Sequence, residues 1–396
     1  MQILIDIRLL GKGGQTGVEE YTQQIVTHLL RQPSAHHFHL FYNGWRKVPL
    51  PGEWLALSRI EGLASAKAAG HDRSRTSIID WGVPNRLFDL WQPELDSIFN
   101  DGPDLIYSPH LNYINAARAP RILTIHDLSF IHYPYFLNWR QRLWHRWQKI
   151  KEQAKKATGI VVDSAYTKND VVETLGVVSE KVHVIYPGVN KEMYRPASAA
   201  GYGEARPASA QSFGAARPAN LDFPFILYLG TIEPRKNVAA IIAAFRLLKQ
   251  NPLFDELKLI IAGENRDPNI QTHPNDPNII FWGKATTEEK SMLYNLAEVF
   301  VYPSFFEGFG FPPLEAQASG CPVVASNRAS LKEVLGNSAL LTDPWKPREI
   351  ASAIEAVLTD NNLRNQLIGK GLNNARQFNW QDTVCALLKL FSQLSS

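Results

Sequence analysis

This sequence has few cysteines, a small net charge and no long apolar run, and each of these features excludes a class of protein. Its 396 residues include two cysteines, Cys321 and Cys385, too few for a disulfide framework, so a reducing, cytoplasmic compartment is expected. The formal net charge is +3 and no nucleic-acid-binding motif is present, so no nucleic-acid partner is predicted. No apolar run approaches the ~18 residues that span a bilayer, and the stretch MQILIDIRLL is predicted to be a first β-strand and not a signal peptide.

Two nucleotide-binding fingerprints are also missing. The Gly-rich segment at 11–21, GKGGQTGVEEY, matches neither G-x-G-x-x-G nor the P-loop, which disfavours dinucleotide and nucleoside-triphosphate enzymes. Gly14 and Gly17 in this segment are candidates for lining phosphates or an acceptor; the alternative is a long loop that needs positive φ angles. No DxD-like acidic pair stands at a strand end beside other ligands, so no metal site is predicted.

Short apolar runs alternate with longer amphipathic stretches along the whole chain, which predicts parallel strands joined by helices. The predicted strands lie at 2–7, 38–42, 104–108, 121–125, 159–163 and 182–186, and then at 225–230, 258–263, 279–283, 298–304 and 321–326. The alternation restarts after residue 222, and 396 residues exceed one core, so the fold class predicted is α/β, with two Rossmann-like, doubly wound domains. Ligands are expected at the carboxyl ends of the strands, where the two halves would face a central cleft. The predicted segments are an N-terminal domain at 1–195, a flexible Ala/Pro/Gly/Ser-rich linker at 196–221, a C-terminal domain at 222–373 and a final helix at 374–396.

The stretch EGFGFPPLE at 307–315 is the most informative about function. Gly308 and Gly310 let the backbone approach a ligand closely, and the Pro-Pro pair predicts that a helix begins near Pro313. The free N–H groups of such a helix favour a bound diphosphate, and Glu315 in its first turn would reach hydroxyls of the same ligand. The alternative is a strand–Gly–helix turn in which Glu315 only favours the helix dipole.

A second candidate element is GTIEPRKN at 230–237. Arg235 and Lys236 follow a predicted strand there, and Asn237 is placed to cap the next helix. Fixed cations at a strand end would stabilise the negative charge that develops on a departing nucleoside diphosphate. The alternative is a solvated Arg–Lys pair in a loop.

Two glutamates with seven residues between them, around GFGFPP, resemble the signature of the retaining family-4 glycosyltransferases of the GT-B fold. GTIEPRKN fits the same family, as do IHDLSF at 125–130, VIYPGVN at 184–190 and ASGCPVVAS at 318–326. The N-terminal half is similar to mannosyltransferases of bacterial surface-polysaccharide synthesis. The resemblance implies an acceptor-side N-terminal domain, a C-terminal domain that binds a nucleotide sugar, and a final helix that crosses back onto the N-terminal domain.

The resemblance also implies roles for single residues. Glu307 would bind hydroxyls of the donor sugar; nucleophilic attack on the anomeric carbon is the alternative, which the family's one-face mechanism does not require. Glu315 would accept hydrogen bonds from ribose hydroxyls, and Arg235 and Lys236 would hold the diphosphate without a metal. The predicted donor-binding set is Arg235, Lys236, Glu307, Gly308, Phe309, Gly310, Glu315, Gly14 and Gly17.

His126 follows the predicted strand RILTI and matches the family histidine near the donor sugar. It completes the predicted catalytic set with Arg235, Lys236 and Glu307. Asp127 would orient the imidazole or serve as the base for the acceptor, and Tyr133 is a further acceptor-side candidate. The alternative for His126 is a purely structural role.

The segment 132–156 has an unusual composition, because its three tryptophans, Trp139, Trp144 and Trp147, are interleaved with Arg140, Arg142, Arg146, Lys149 and Lys151. Residues 140, 144, 147 and 151 would share one face of a continuous helix. One interpretation is a surface helix whose aromatic side chains pack on the N-terminal sheet. The other is peripheral contact with the inner face of a membrane, which would suit a lipid-linked acceptor.

These patterns predict a retaining, metal-independent hexosyltransferase. It would move a hexose, with mannose favoured, from a nucleoside diphosphate to a hydroxyl of a glycan or a lipid-linked acceptor. GDP-mannose is favoured over a UDP-sugar as donor, and no cofactor is expected. Two alternatives are a catalytically inactive GT-B scaffold that binds a nucleotide or glycan, and a GT-B sugar-nucleotide epimerase.

Overall fold

The computed structural model describes residues 1–12, 17–43, 50–51, 54, 59–62, 76–80, 94–95, 102–116, 118–197, 221–271 and 276–395. The chain divides into two compact units, one comprising Met1–Gly188 with Trp380–Ser396 and the other Val189–Asn379. The first unit therefore ends at Gly188, where we predicted 195, and resumes at Trp380, where we predicted 374. Most of the predicted linker, residues 198–220, lies outside the described residues, and so does Gly14.

The first unit contains a sheet whose eight described strands follow the order β3-β4-β2-β1-β5-β6-β7-β8, with every neighbouring pair parallel. These strands are β1 (Gln2–Asp6), β2 (His37–Tyr42), β3 (Arg59–Gly62), β4 (Thr76–Asp80), β5 (Leu105–Ser108), β6 (Arg121–Ile125), β7 (Gly159–Val162) and β8 (Val182–Val184). Six of them coincide with predicted apolar runs. β3 was missed because its sequence, RIEG, has no apolar run, and β4 was missed too.

The second unit contains a parallel sheet whose six described strands follow the order β11-β10-β9-β12-β13-β14. They are β9 (Phe225–Leu229), β10 (Lys258–Ala262), β11 (Ile279–Gly283), β12 (Val299–Tyr302), β13 (Val323–Ser326) and β14 (Leu340–Thr342). β9, β12 and β13 are buried along their whole length, as expected for strands covered on both faces. Only the three-residue β14 was absent from the predicted set.

Helices connect the strands in both units. The described α-helices are α1 (Gly17–Arg31), α2 (Ser129–His132), α3 (Trp139–Trp147), α4 (Ile150–Lys156), α5 (Ala165–Leu175), α6 (Val238–Leu248), α7 (Thr287–Leu296), α8 (Phe311–Ala318), α9 (Ser330–Leu335), α10 (Pro347–Thr359), α11 (Asn361–Gln377) and α12 (Trp380–Leu394). The predicted α/β class, with two Rossmann-like parallel sheets, is confirmed. Among the described residues, no helix has both the length and the apolar character to cross a bilayer.

The last helix, α12, belongs to the first unit and packs on α1. Trp380 at its start contacts the Tyr21 ring edge-on at 5.8 Å and stacks on His28 at 6.1 Å. Phe391 near its end lies 5.3 Å from the Tyr107 ring of β5. These buried aromatic contacts hold the C-terminus of the chain on the first sheet.

The helix predicted across the basic, Trp-rich segment is interrupted. Lys149 adopts a left-handed conformation with φ 46° and separates α3 from α4. A face made of residues 140, 144, 147 and 151 therefore does not exist, because residue 151 lies on a different helix. Trp139 and Trp147 of α3 are exposed, so these two side chains do not pack on the sheet as one of the two interpretations had it.

Candidate active site

The candidate site of the second unit lies where neighbouring parallel strands end. β12 pairs with β9 on one side and with β13 on the other, so the three loops that leave their carboxyl ends are adjacent. The loop after β9 carries Arg235 and Lys236, the loop after β12 carries Glu307, and the loop after β13 leads to Ser330. This is the edge at which open α/β sheets bind ligands.

The ammonium group of Lys236 is held between two side chains of the β12 segment. Its Nζ donates to Glu307 Oε1 at 2.6 Å and to Tyr302 Oη at 2.6 Å. The side chains of Lys236 and Glu307 are both nearly buried. Lys236 is therefore part of a compact ion pair and not a solvated loop cation.

The guanidinium group of Arg235 joins the same cluster. Its Nη1 donates to Glu307 Oε2 at 3.1 Å and to the Phe306 carbonyl at 2.6 Å, and its Nη2 donates to Glu233 Oε1 at 2.8 Å. One carboxylate thus bridges the two cations, one through each oxygen. The formal charges of Glu233, Arg235, Lys236 and Glu307 sum to zero.

The electrostatics of this cluster keep Glu307 ionised. Burial alone would raise the pKa of Glu307, but Lys236, Arg235 and a hydrogen bond from Ser304 outweigh burial and lower it to about 2. Burial lowers the pKa of Lys236, as does the neighbouring Arg235, and the Glu307 charge offsets part of that effect. The result is a site without net formal charge, in which two cations are held by a carboxylate that stays ionised across the physiological range.

The predicted cap by Asn237 is wrong. Asn237 adopts a left-handed conformation before α6, and its side chain makes no capping hydrogen bond. Its amide instead donates to the carbonyls of Pro344 at 2.7 Å and Pro303 at 3.3 Å. The residue therefore fixes the Arg–Lys turn to the ends of the neighbouring strands.

The segment EGFGFPPLE forms the turn and helix that its glycines and prolines predict. α8 begins at Phe311, two residues before the predicted start, after Gly310 with φ 107°. Ser330 Oγ lies 2.8 Å from the Glu307 carbonyl and 3.0 Å from the Phe309 carbonyl and donates to them. The loop is thereby tied to the start of α9.

We expect Gly310→Ala to destabilise the second unit by about 2–4 kcal/mol. An added Cβ would lie 2.5 Å from Leu331 Cδ2, so a steric clash adds to the cost of about 1–3 kcal/mol for a strained backbone. Urea unfolding would measure the loss. Gly176→Ala is the matched control, because Gly176 has φ 67° and nothing within 4 Å of its added Cβ. Equal losses in the two variants would contradict the predicted clash.

Phe309 and Glu315 lie deeper in the fold than their predicted roles suggest. The Phe309 ring is buried and packs edge-on against Phe311 and Phe378, so its contribution to a donor site would come from its backbone. Glu315 lies in the second turn of α8 and not in the first, because α8 begins at Phe311. Its carboxylate is buried and accepts a hydrogen bond of 2.9 Å from the Tyr294 hydroxyl.

In the first unit, His126 lies at the carboxyl end of β6 in the predicted position. Its Nδ1 is 2.6 Å from Asp163 Oδ2, and its Nε2 is 2.9 Å from the Pro109 carbonyl. The ring also packs edge-on against Tyr21 at 4.6 Å. Since a carbonyl only accepts, Nε2 must carry a proton, and Nδ1 shares a second proton with Asp163.

Burial disfavours a charged imidazole, but Asp163 and the Pro109 carbonyl outweigh burial and raise the pKa of His126. Burial also raises the pKa of the Asp163 carboxyl, and His126 counteracts part of that rise. The Asp163 carboxylate therefore favours the protonated form of the His126 imidazole.

Asp127 does not orient His126, contrary to prediction. Its Oδ1 accepts hydrogen bonds from Ser129 N at 2.9 Å and Ser129 Oγ at 2.6 Å, which places the carboxylate at the start of α2. Tyr133 follows α2 and stacks on Phe136 at 5.5 Å. Asp163 is the partner that was missed, although it could have been found: β6 and β7 pair with Ile125 opposite Val162, so the next residues are neighbours.

We expect Asp163→Asn to lower the pKa of His126, because the substitution removes the counter-charge of the imidazolium. The wild-type pair stabilises the fold fully below the ordinary histidine pKa of about 6.5, and this contribution is lost as the pH rises through the raised folded pKa. The variant should lack that pH dependence. NMR titration of the His126 ring would measure the shift.

Asp170→Asn is the control for this titration, because Asp170 pairs with the more exposed His132 at 2.7 Å. It should leave the titration of His126 unchanged. An unaltered His126 titration in Asp163→Asn would show that Asp163 does not control the proton.

The remaining predicted site residues are Gly14, which lies outside the described residues, and Gly17, which begins α1 at an exposed position. Among the described residues no group of three or more His, Cys, Asp or Glu side chains could hold a metal ion.

Tyr302 is a further residue that the sequence did not single out. Its position in a buried strand gave no sign that its hydroxyl reaches Lys236.

Comparison with known proteins finds two family matches and a relative that aligns over nearly the whole chain. The family described as Glycosyltransferase Family 4 matches residues 15–193, and that described as Glycosyl transferases group 1 matches residues 212–374. O-antigen chain mannosyltransferase B of Escherichia coli is 26% identical over 388 residues, which cover 96% of each protein. The two family matches therefore follow one another along the chain, one in each half.

Solved structures with the same fold cover almost the whole chain. Sucrose-phosphate synthase of Thermosynechococcus elongatus aligns with a TM-score of 0.69 at 19% identity, covering 100% of this chain and 99% of the synthase. Anabaena HepE, solved with UDP-glucose, aligns with a TM-score of 0.65 at 17% identity, covering 99% of this chain and 100% of HepE. The paired parallel sheets, the two family matches and the mannosyltransferase relatives agree, and the chain belongs to the family-4 glycosyltransferases of the GT-B fold.

Proposed function

We propose that this hexosyltransferase is a retaining, metal-independent enzyme that moves mannose from GDP-mannose to a hydroxyl of a glycan or lipid-linked acceptor. The observation that carries the proposal is the cluster of Arg235, Lys236 and Glu307 at the carboxyl ends of β9 and β12. It combines two fixed cations with an ionised carboxylate in one nearly buried site. These are the groups that a sugar diphosphate requires.

Arg235 and Lys236 would bind the two phosphates of the donor. When the glycosidic bond to the phosphate breaks, negative charge grows on the leaving diphosphate, and preorganised cations stabilise it without having to reorient. Arg235 and Lys236 thus supply the cationic contacts that a divalent ion would otherwise make, while Glu233 and Glu307 balance their formal charge. The proposal that the donor needs no metal rests on these two cations.

Glu307 would bind hydroxyls of the donor sugar and not attack its anomeric carbon. Each of its oxygens accepts from a cation, at 2.6 and 3.1 Å, and its low pKa reflects how strongly those cations stabilise its charge. A carboxylate stabilised in this way is a poor nucleophile. This supports a retaining reaction on one face of the sugar, in which an oxygen of the leaving phosphate takes the proton of the acceptor hydroxyl.

The choice of mannose rests on relatives. O-antigen chain mannosyltransferase B of Escherichia coli aligns over 96% of its own length, and the O-antigen chain mannosyltransferase RfbU of Salmonella typhimurium is 28% identical over 242 residues, 59% of this chain and 60% of RfbU. GDP-mannose is the donor proposed on that basis. We propose that the enzyme works in the cytoplasm on an acceptor held at the inner membrane face, which is compatible with its two cysteines, neither of which forms a disulfide.

Thermal unfolding with a panel of GDP-, UDP- and ADP-sugars, with and without EDTA, would test the donor site. A donor at ~100 times its dissociation constant should stabilise the protein by about 2.7 kcal/mol. We expect GDP-mannose to raise the unfolding temperature, both with and without EDTA. This increase should be lost in the double variant Arg235→Ala/Lys236→Ala. A shift with UDP-sugars alone would refute the GDP proposal, and a shift abolished by EDTA would refute metal independence.

Product analysis would test the chemistry. Nucleoside diphosphate should be released when a lipid-linked glycan extract is added, and NMR of the product should show the anomeric configuration of the donor. An inverted configuration would contradict the retaining mechanism. Donor binding without release of diphosphate would favour the inactive scaffold, and conversion of the nucleotide sugar without an acceptor would favour the epimerase.

A further inference from the structure

The helix α3 presents an exposed apolar stripe to solvent. The stripe consists of Trp139, Leu143 and Trp147, which follow one another at intervals of four residues and so share one face of the helix. Their relative exposures are 69%, 40% and 55%. Three large apolar side chains in one exposed row are unusual for a helix that has no binding partner.

Basic residues border this stripe on both sides. At 100° per residue, Arg142 and Arg146 lie along one edge of it, and Arg140 lies along the other. Arg140 packs over the Trp139 ring at 5.2 Å, and Arg142 Nε donates to the Leu137 carbonyl at 3.0 Å. Arg140 and Arg142 are therefore held beside the stripe.

Acidic residues are absent from this stretch of sequence. No Asp or Glu occurs between Asp127 and Glu152, and Glu152 is already paired with Lys156 at 2.8 Å. The exposed stripe of α3 is therefore bordered within its own helix by cations alone, and Glu152, which lines the neighbouring cavity, is paired with a lysine. An anionic partner with an apolar interior is complementary to it.

A cavity of about 480 Å³ opens beside α3, between α2 and the start of α4. Phe130, Ile131 and Ile150 supply apolar walls, and cations outnumber the one carboxylate in the lining: Arg142, Arg146, Lys149 and Lys151 against Glu152. The Phe130 ring stacks on His145 at 4.2 Å and fixes one wall. Apolar walls beside cations suit the phosphate and the first part of the acyl chains of a phospholipid.

We propose that α3 docks the enzyme on an anionic phospholipid surface. Trp139, Leu143 and Trp147 enter the boundary between head groups and acyl chains, and the bordering arginines contact lipid phosphates. Tryptophan and arginine suit this position, since one combines an apolar body with a polar tip and the other keeps its charge at the interface. The inference extends the proposed lipid-linked acceptor, but docking itself requires neither donor nor acceptor.

Vesicle sedimentation of the full chain would test the docking. We expect binding to vesicles of equal parts phosphatidylglycerol and phosphatidylcholine, weak or no binding to phosphatidylcholine alone, and loss of binding at high salt. Fluorescence of the exposed tryptophans should shift to the blue on binding. The triple variant Trp139→Ala/Leu143→Ala/Trp147→Ala and the double variant Arg142→Glu/Arg146→Glu should each bind about tenfold or more weakly.

Trp345→Ala is the matched control, because Trp345 is 67% exposed in the second unit and lies outside this surface; it should bind vesicles like the wild type. Unchanged vesicle binding by the triple variant would overturn the proposal. So would a wild-type dimer that the triple variant turns into a monomer, because the stripe would then be an interface between copies. A nucleotide sugar should raise the unfolding temperature of the triple variant as much as that of the wild type. The test of membrane docking is therefore independent of the test of the donor site.

Discussion

Lys236→Ala should lower the rate of sugar transfer, expressed as kcat/KM, by a factor of about 10²–10³, the usual cost of removing one preorganised group that stabilises transition-state charge. The physical reason is that the ammonium is held by Glu307 and Tyr302 where the leaving diphosphate would gain negative charge. Release of nucleoside diphosphate in the presence of the acceptor extract would measure the rate. The loss should appear mainly in kcat, because the charge develops in the transition state.

Two further variants separate this effect from a general loss of charge or of folding. Lys370→Ala removes an exposed lysine from α11 of the same unit and should leave the rate unchanged. Tyr302→Phe keeps the ring and removes only the hydroxyl that accepts from Lys236, so it should lower the rate by a smaller factor. A folded Lys236→Ala enzyme with a wild-type rate would contradict the proposed role.

Glu307→Ala should destabilise the protein by about 3–5 kcal/mol, the range for removing one partner of a buried ion pair. It would leave Arg235 and Lys236 next to each other without the carboxylate that bridges them. Urea unfolding at neutral pH would measure the loss. A nucleoside diphosphate should raise the unfolding midpoint of the variant more than that of the wild type, because its phosphates replace the missing negative charge.

The pH dependence gives a second measure of the same interaction. The folded-state pKa of Glu307 is lowered to about 2, so its ionisation stabilises the fold fully above the ordinary glutamate pKa of about 4.3. That contribution, about 3 kcal/mol, is lost as the pH falls towards 2. Glu307→Ala should lack this part of the acid-induced loss of stability.

Glu298→Ala is the control for stability, because Glu298 pairs with Arg364 at a more exposed position. Its cost should be about 1 kcal/mol or less. Equal losses in the two glutamate variants would mean that the Glu307 cluster behaves as an ordinary surface ion pair.

Much of the fold could be predicted from local patterns. The apolar runs that became β1, β9 and β12 are strands because each is buried on both faces of a parallel sheet. By contrast β3, with its sequence RIEG, carries no apolar run, and it forms by pairing with β4. An edge strand of this kind depends on its neighbour more than on its own residues.

The candidate site was predictable to a similar degree. The positions of Arg235, Lys236 and Glu307 at strand ends followed from the apolar runs before them. The GFGFPP segment predicted a turn followed by a helix. The helix start was wrong by two residues, because a Pro-Pro pair is compatible with more than one position in the first turn. Asn237 was assigned a cap because its side chain suits that role, whereas two distant carbonyls compete for its amide.

Local residue patterns thus accounted for the class of fold, the strand ends and the two segments that carry the cations and the glycine turn, because each depends on residues a few positions apart. The partners of the key side chains depended on contacts between distant parts of the chain. Asp163 lies opposite His126 because β7 pairs with β6, and Glu307 bridges Arg235 and Lys236 because β12 pairs with β9. The order of strands in a parallel sheet depends on how the whole core packs. The exposure of Trp139 and Trp147 depends on the same packing, so neither property could be predicted from a short stretch of sequence.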